Sequence, residues 1–274
     1  MRGEKSNWRA WIRSYPLLVF FALVFLITWG IGAIALFAPA VGRARGSSSA
    51  LTNPLFYAAV YAPTVSSLVL TALLGGGAGL RQLLGRLLPW RAGIECYLIV
   101  LAGYPLAGLL GGRAAGLFAA PQGSMPNWAH FYAALLPALV VDPGPLGEEL
   151  GWRGFALPRM LERWRPLTAS LILGLIWGTW HLPAFFIAGL PQTHMALPVF
   201  FLNTISLSVA DTWLFLRARG NLLPPILVHL ITNHYSELLR ISFQVSVAGA
   251  TLVAAAVVLL GGMRRSSARA GGTA

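Results

Sequence analysis

Charge is what this sequence has least of. Only 10% of its 274 residues are Asp, Glu, Lys or Arg, against roughly 25% in an average soluble domain, so it cannot build a water-facing surface around a core. Acid is scarcer than base, with eight Asp and Glu against 20 Lys and Arg, and all but one of the basic residues are Arg. Cys96 is the lone cysteine, which excludes an intramolecular disulfide and a thiolate metal cluster and leaves the compartment open. An internal repeat is also missing, which weighs against an inverted-repeat transporter. No polar stretch is long enough to fold separately, so the chain reads as one structural domain.

Apolar residues make up 57% of the sequence and the mean hydropathy is +0.69. A membrane-crossing helix needs about 20 mostly apolar residues, and eight segments qualify: 16–39, 51–75, 95–118, 129–150, 167–188, 195–216, 221–239 and 243–261. The fold expected is therefore all-α, a polytopic transmembrane bundle of about eight spans. Within it we distinguish N-terminal helices (1–128), a core that carries the chemistry (129–240), and a last helix with a basic tail (241–274). The first run exceeds the 7–15 residues of a signal-peptide core and reads as a retained span. Gly75-Gly76-Gly77, Pro121-Gln122-Gly123 and Gly220-Asn221 mark connections.

A net charge of +12 raises the question of nucleic acid, and the positions of the charges answer it. With the N-terminus in the cytoplasm, 16 of the 20 basic residues fall on the cytoplasmic side: four before the first span, then Arg81, Arg86, Arg91, Arg153, Arg159, Arg163, Arg165, Arg217, Arg219, Arg264, Arg265 and Arg269. Arg43, Arg45 and Arg240 lie outside, and Arg113 sits inside span three. That is the positive-inside pattern, with both termini cytoplasmic and the basic loops facing anionic lipid. No nucleic-acid partner is needed.

Ionisable side chains are costly within a bilayer and by default mark a site. Here they gather in spans four to seven as three polar groups at helical spacing. In Glu148-Glu149-Leu150-Gly151-Trp152-Arg153, Arg153 lies one turn from Glu149 and can hold it as a carboxylate. Glu148, about 100° around the helix, stays free to face a cavity as a general base. Trp177 and His181 share a face in span five, where Gly178 and Pro183 loosen the backbone. His229 and Asn233 share a face in span seven, and two donors at that spacing suit a developing oxyanion. Singly, each group also fits an ordinary packing role.

Together they describe one cavity in which a carboxylate and a histidine activate water opposite oxyanion donors, a hydrolase of amide or ester bonds. The same residues leave a second reading open, in which Glu148, His181 and His229 bind a divalent metal such as zinc with water in the open position. Asp211, the Glu237–Arg240 pair, His130, His194 and His234 are left out of the site. As drawn, His181 lies 14 residues into span five, about 20 Å deep at 1.5 Å per residue, while Glu148 sits near the cytoplasmic end of span four. They meet only if residues 152–166 form an interfacial helix or the two spans are offset in depth.

At these residues the chain resembles the CAAX-type and bacteriocin-processing intramembrane endopeptidases. The matches are Glu148-Glu149 with Arg153, His181 with an aromatic at 177 (Trp177 where the family usually has Phe), and His229 with Asn233. Gly151-Trp152-Arg153-Gly154, Trp180-His181-Leu182-Pro183 and Arg219-Gly220-Asn221-Leu222 look like the bacterial branch, which implies a bacterial cytoplasmic membrane. The similarity covers roughly 130–240. It implies an eight-helix fold, a membrane-associated peptide or protein substrate, Glu148 and His181 on the water, and His229 and Asn233 as oxyanion hole. Glu149, Arg153 and Trp177 would be supporting residues. The family has been described both as metal-dependent and as glutamate-dependent, so the cofactor stays open. A non-hydrolytic peptide-binding or bacteriocin-immunity protein on the same scaffold is the alternative.

Overall fold

The computed structural model describes residues 8–38, 53–88, 92–114, 128–238 and 242–263, with the side chains of 235–238 left aside. Among these residues the regular structure is helical throughout: α1 (Trp8–Ser14), α2 (Pro16–Phe37), α3 (Pro54–Val60), α4 (Ala62–Leu84), α5 (Ile94–Ala114), α6 (Trp128–Val141), α7 (Pro143–Glu149), a π-helical segment (Leu150–Ala156), α8 (Leu157–Arg163), α9 (Pro166–Trp180), α10 (Leu197–Arg217), α11 (Leu223–Leu238) and α12 (Phe243–Leu259). Four stretches, Pro16–Phe37, Ala62–Leu87, Ile94–Ala114 and Leu197–Arg217, are long and apolar enough to cross a membrane, and α6, α9 and α12 are shorter apolar helices. This is the polytopic helical bundle expected from hydropathy. Pro121-Gln122-Gly123, Arg43, Arg45, Arg91, Arg240, Arg264, Arg265, Arg269 and the side chain of Glu237 lie outside the described residues.

Local sequence explains the helix starts. Proline opens α2, α3, α7 and α9 at a position whose N–H has no helical partner to lose. Asn53 and Asp142 cap α3 and α7 by accepting from the N–H groups of Leu55 and Gly144, each at 2.9 Å, and Asn221 accepts from Leu223 N, also at 2.9 Å. These caps satisfy donors that lipid cannot.

Three expected boundaries are corrected. Gly75-Gly76-Gly77 does not end span two, because α4 passes through it with a kink at Gly76 (φ 57°, ψ −152°), a conformation open to glycine. Span five ends at Trp180, where Pro183 cannot continue the ladder, and short 3-10 turns at Leu182–Phe185 and Pro191–His194 follow.

The third correction concerns the segment with the paired carboxylates. Instead of running from 129 to 150, the helix breaks at Asp142, since the residue before a proline avoids the helical region. It restarts at Pro143 and continues through the π segment to Arg163. Residues 150–156 are all buried, so they form no interfacial helix, and Arg153 belongs to the core, not to a cytoplasmic loop. Glu148 lies 15 residues before Arg163 and His181 lies 15 after Pro166. In a tight hairpin those equal distances put the two side chains at one depth, about 22 Å from the turn.

One hydrophobic core runs from Phe20 and Val24 of α2 through Trp152, Phe155 and Leu173 to Val228 and Ala250. Phe20 stacks on Phe155 with centroids 5.0 Å apart, and Trp152 meets Trp180 edge-on at 5.6 Å, locking α2 and α9 to the π segment. Small residues set the closest helix pairs: a Cβ on Gly111 of α5 would sit 2.8 Å from the carbonyl oxygen of Ala248 in α12, and one on Gly174 of α9 2.7 Å from the Cα of Ile205 in α10. Close approach of backbones drives such pairing where lipid removes the hydrophobic incentive.

Candidate active site

The hairpin of α7–α8 and α9, together with α10 and α11, brings the sequence-predicted residues to one cavity of about 1450 Å³. Glu148, Trp177, His181, His229 and Asn233 all line it.

Glu148 is buried, with 4% of its surface exposed. Its Oε2 accepts from the indole N–H of Trp177 at 2.6 Å and, more distantly, from that of Trp152 at 3.4 Å, and Oε1 has no hydrogen bond among the described residues. Trp177 is a bridge, because its own carbonyl lies 2.9 Å from His181 Nδ1. A carbonyl only accepts, so Nδ1 carries the hydrogen and Nε2 of the neutral ring keeps its lone pair. One tryptophan thus fixes the orientation of both residues expected to act on water.

Glu149 and Arg153 do something other than brace Glu148. Both are fully buried; Arg153 Nη1 donates to Glu149 Oε1 at 2.8 Å, and the same oxygen lies 2.8 Å from His229 Nδ1. The carboxylate therefore holds His229 with Nδ1 as donor and turns its Nε2 edge toward Gly144 and Asn233, as the distances around Gly144 indicate. The guanidinium also lies 4.7 Å over the Trp177 ring. A buried charge of this kind persists only when paired, and Asp211 of α10 supplies the second partner, its Oδ2 2.9 Å from Arg153 Nη2.

Sequence reasoning had set Asp211 aside, although a lone carboxylate within a span is itself a signal. Asp142 was missed altogether. Its Oδ2 accepts from Asn233 Nδ2 at 3.0 Å and pairs with His234 Nε2 at 3.1 Å, while Oδ1 caps α7. The Asp-Pro dipeptide was the available clue. His234, left out of the site on sequence grounds, therefore adjoins Asn233 at the cavity wall. Gly144 completes the arrangement, since a Cβ there would sit 3.0 Å from Asn233 Nδ2 and 3.5 Å from His229 Nε2.

The metal reading of Glu148, His181 and His229 fits less well. Among the described residues no three His, Cys, Asp or Glu side chains are grouped to hold one ion. No step below passes through a metal.

Comparison with known proteins agrees with the location of this cluster. Residues 126–235 match the family described as type II CAAX prenyl endopeptidase Rce1-like. A CAAX prenyl protease 2 of Methanococcus maripaludis is 31% identical over 121 residues, covering 41% of this chain and 45% of the relative. The chain thus matches less than half the length of that relative. The matched segment holds Asp142, Glu148, Glu149, Arg153, Trp177, His181, Asp211, His229 and Asn233 together. Residues 126–235 of this chain are thus similar to the Rce1-like type II CAAX prenyl endopeptidases.

Proposed function

We propose that this chain is an intramembrane endopeptidase that hydrolyses a peptide bond in a membrane-associated peptide or protein. The observation that carries the reading is the convergence of Glu148, His181, His229 and Asn233 on one cavity, each held by a neighbour within the bundle. Both termini lie on the cytoplasmic side, as the arginine-weighted loops require.

Water held between Glu148 and His181 Nε2 loses a proton to Glu148 as its oxygen bonds to the scissile carbonyl carbon. The carbonyl π electrons move to oxygen. That oxyanion accepts from the Asn233 amide and from His229 Nε2–H, the second hydrogen of the ring whose Nδ1–H is held by Glu149. Collapse of the tetrahedral intermediate expels the amine, which takes the proton back from Glu148, so the acid-base group is regenerated. Preorganised donors of this sort supply the largest single part of the rate in such reactions.

The test is cleavage of a peptide library, with and without lipidated cysteine, by purified protein beside Glu148→Gln, each with and without chelator. Cleavage by the wild type and its loss in the variant support the proposal, and the chelator arm decides whether metal is required. Preference for lipidated peptides would align the substrate with the name of the methanogen relative. A folded wild type that binds peptides and cuts none replaces this reading with a peptide-binding or immunity role.

A further inference from the structure

Away from the main cavity the bundle has a second recess, of about 240 Å³, between the C-terminal half of α4 and the junction of the π segment with α8. Thr71, Gly75, Gly79, Gln82, Arg86 and Arg159 line it. It lies toward the hairpin turn, at the end of the bundle where Arg81, Arg163 and Arg165 also fall.

Two half-buried guanidiniums face this recess, neither in an ion pair among the described residues. Arg86 Nη1 donates to the carbonyl of Gly154 at 3.2 Å, and Arg159 Nη1 to that of Phe155 at 2.8 Å. Arg159 is further fixed by lying 3.6 Å from the Phe155 ring centroid. Neither joins an ion pair within 4.0 Å among the described residues. Glu162 acts on Arg159 only from farther off, and the charge of Arg86 opposes that of Arg159. A guanidinium has five N–H donors, and each of these spends one on a backbone carbonyl.

The wall contributed by α4 includes two glycines, Gly75 and Gly79. A Cβ placed on Gly75 meets nothing within 4 Å, so space is kept open where α4 kinks. Of the Gly75-Gly76-Gly77 run, which ends no helix, Gly75 lines this recess, together with Gly79 one turn on. Two anchored cations that repel each other across a small open volume call for an anion with several acceptor oxygens, and phosphate matches paired arginine forks best.

We infer that this recess binds a phosphate group, carried by an anionic phospholipid headgroup or by free phosphate. Its position at the basic end of the bundle favours the lipid, since such pockets between helices suit anionic headgroups.

The test reads retained ligand by native mass spectrometry after transfer of the purified protein from micelles containing phosphatidylglycerol, with phosphatidylcholine as comparator and millimolar inorganic phosphate as competitor. Three variants accompany the wild type: Arg86→Gln with Arg159→Gln, Gly75→Leu, and Arg81→Gln, which does not line the recess. Gly75→Leu fills the recess without altering a charge or the kink at Gly76, so it keeps the test valid even if the double variant fails to fold. Expected is retention of phosphatidylglycerol by the wild type and Arg81→Gln, weakened about tenfold for each arginine lost and at least as much by Gly75→Leu. Binding of inorganic phosphate alone, with the same loss in both recess variants, assigns the site to free phosphate. Equal retention in the wild type and Gly75→Leu, or none in the wild type from either source, overturns the inference. The measurement involves no peptide cleavage, so its failure is distinct from failure of the proposed protease activity.

Discussion

Two isosteric substitutions separate the structural from the catalytic duty of the buried charges. Glu149→Gln and Asp211→Asn each remove one of the two carboxylates beside Arg153, which stand 2.8 and 2.9 Å from its guanidinium nitrogens. Deleting a partner from a buried ion pair costs roughly 3–5 kcal/mol. At Glu149, where the contact is a hydrogen bond, the replacing amide oxygen retains a neutral one worth about 1 kcal/mol. Glu149→Gln should thus lose about 2–4 kcal/mol of stability and Asp211→Asn roughly 3–5 kcal/mol, a large part of the 5–15 kcal/mol typical of a folded protein. Thermal unfolding in detergent would show two similar downward shifts. The catalytic outcome differs, because only Glu149 also holds His229 Nδ1. Loss of one oriented oxyanion donor lowers kcat by roughly 10²–10³, so Glu149→Gln should fall by that factor, measured well below its unfolding temperature on the peptide that the wild type cuts best. Asp211→Asn should stay within about tenfold of wild type, since its carboxylate touches Arg153 and not His229. If the two variants lose kcat equally, the assignment of Glu149 as the group that orients His229 is wrong.

Other perturbations read different parts of the cavity. Gly144→Ala inserts a methyl 3.0 Å from Asn233 Nδ2 and 3.5 Å from His229 Nε2; kcat should drop by about 10²-fold with little change in unfolding temperature, and an active variant would move the oxyanion position elsewhere. Asp142→Asn keeps the α7 cap but weakens the hold on Asn233 and His234, and steady-state kinetics should show kcat reduced about tenfold with KM unchanged. Asn203 lines the cavity with a side-chain oxygen that has no partner among the described residues. Asn203→Leu should therefore leave stability equal or higher and raise KM about tenfold, the value of one lost hydrogen bond to substrate; an unchanged KM would show that the bound peptide does not reach it.

Hydropathy was enough to read the bundle, because a bilayer demands helices of a given length. Two of the moved boundaries and the placement of Arg153 share a cause that composition does not encode. Gly75–Gly77 has the chemistry of a break, yet an isolated kink at Gly76 leaves the helix on either side intact. Asp142-Pro143 has the chemistry of a start and lies inside an apolar run, where the run's length concealed it. Arg153 reads as a loop charge until two carboxylates from different helices are brought to it.

The same tertiary fact governs how much of the site was legible. Pairs at i and i+4, Glu149 with Arg153, Trp177 with His181 and His229 with Asn233, are local and follow from helical geometry alone. What joins the pairs is not local. Trp177 reaches Glu148 across 29 positions in the chain, Glu149 reaches His229 across 80, and Asp142 reaches Asn233 across 91. Each motif takes its support from another motif: the carboxylate that starts the first pair orients the histidine of the third, and the tryptophan of the second bridges the first carboxylate to its own histidine. A substitution at any one of them should therefore act at two points of the cavity, and double-mutant cycles between spans, Glu149 with His229 or Trp177 with Glu148, should be strongly non-additive, whereas cycles from either pair to Asn203 should add.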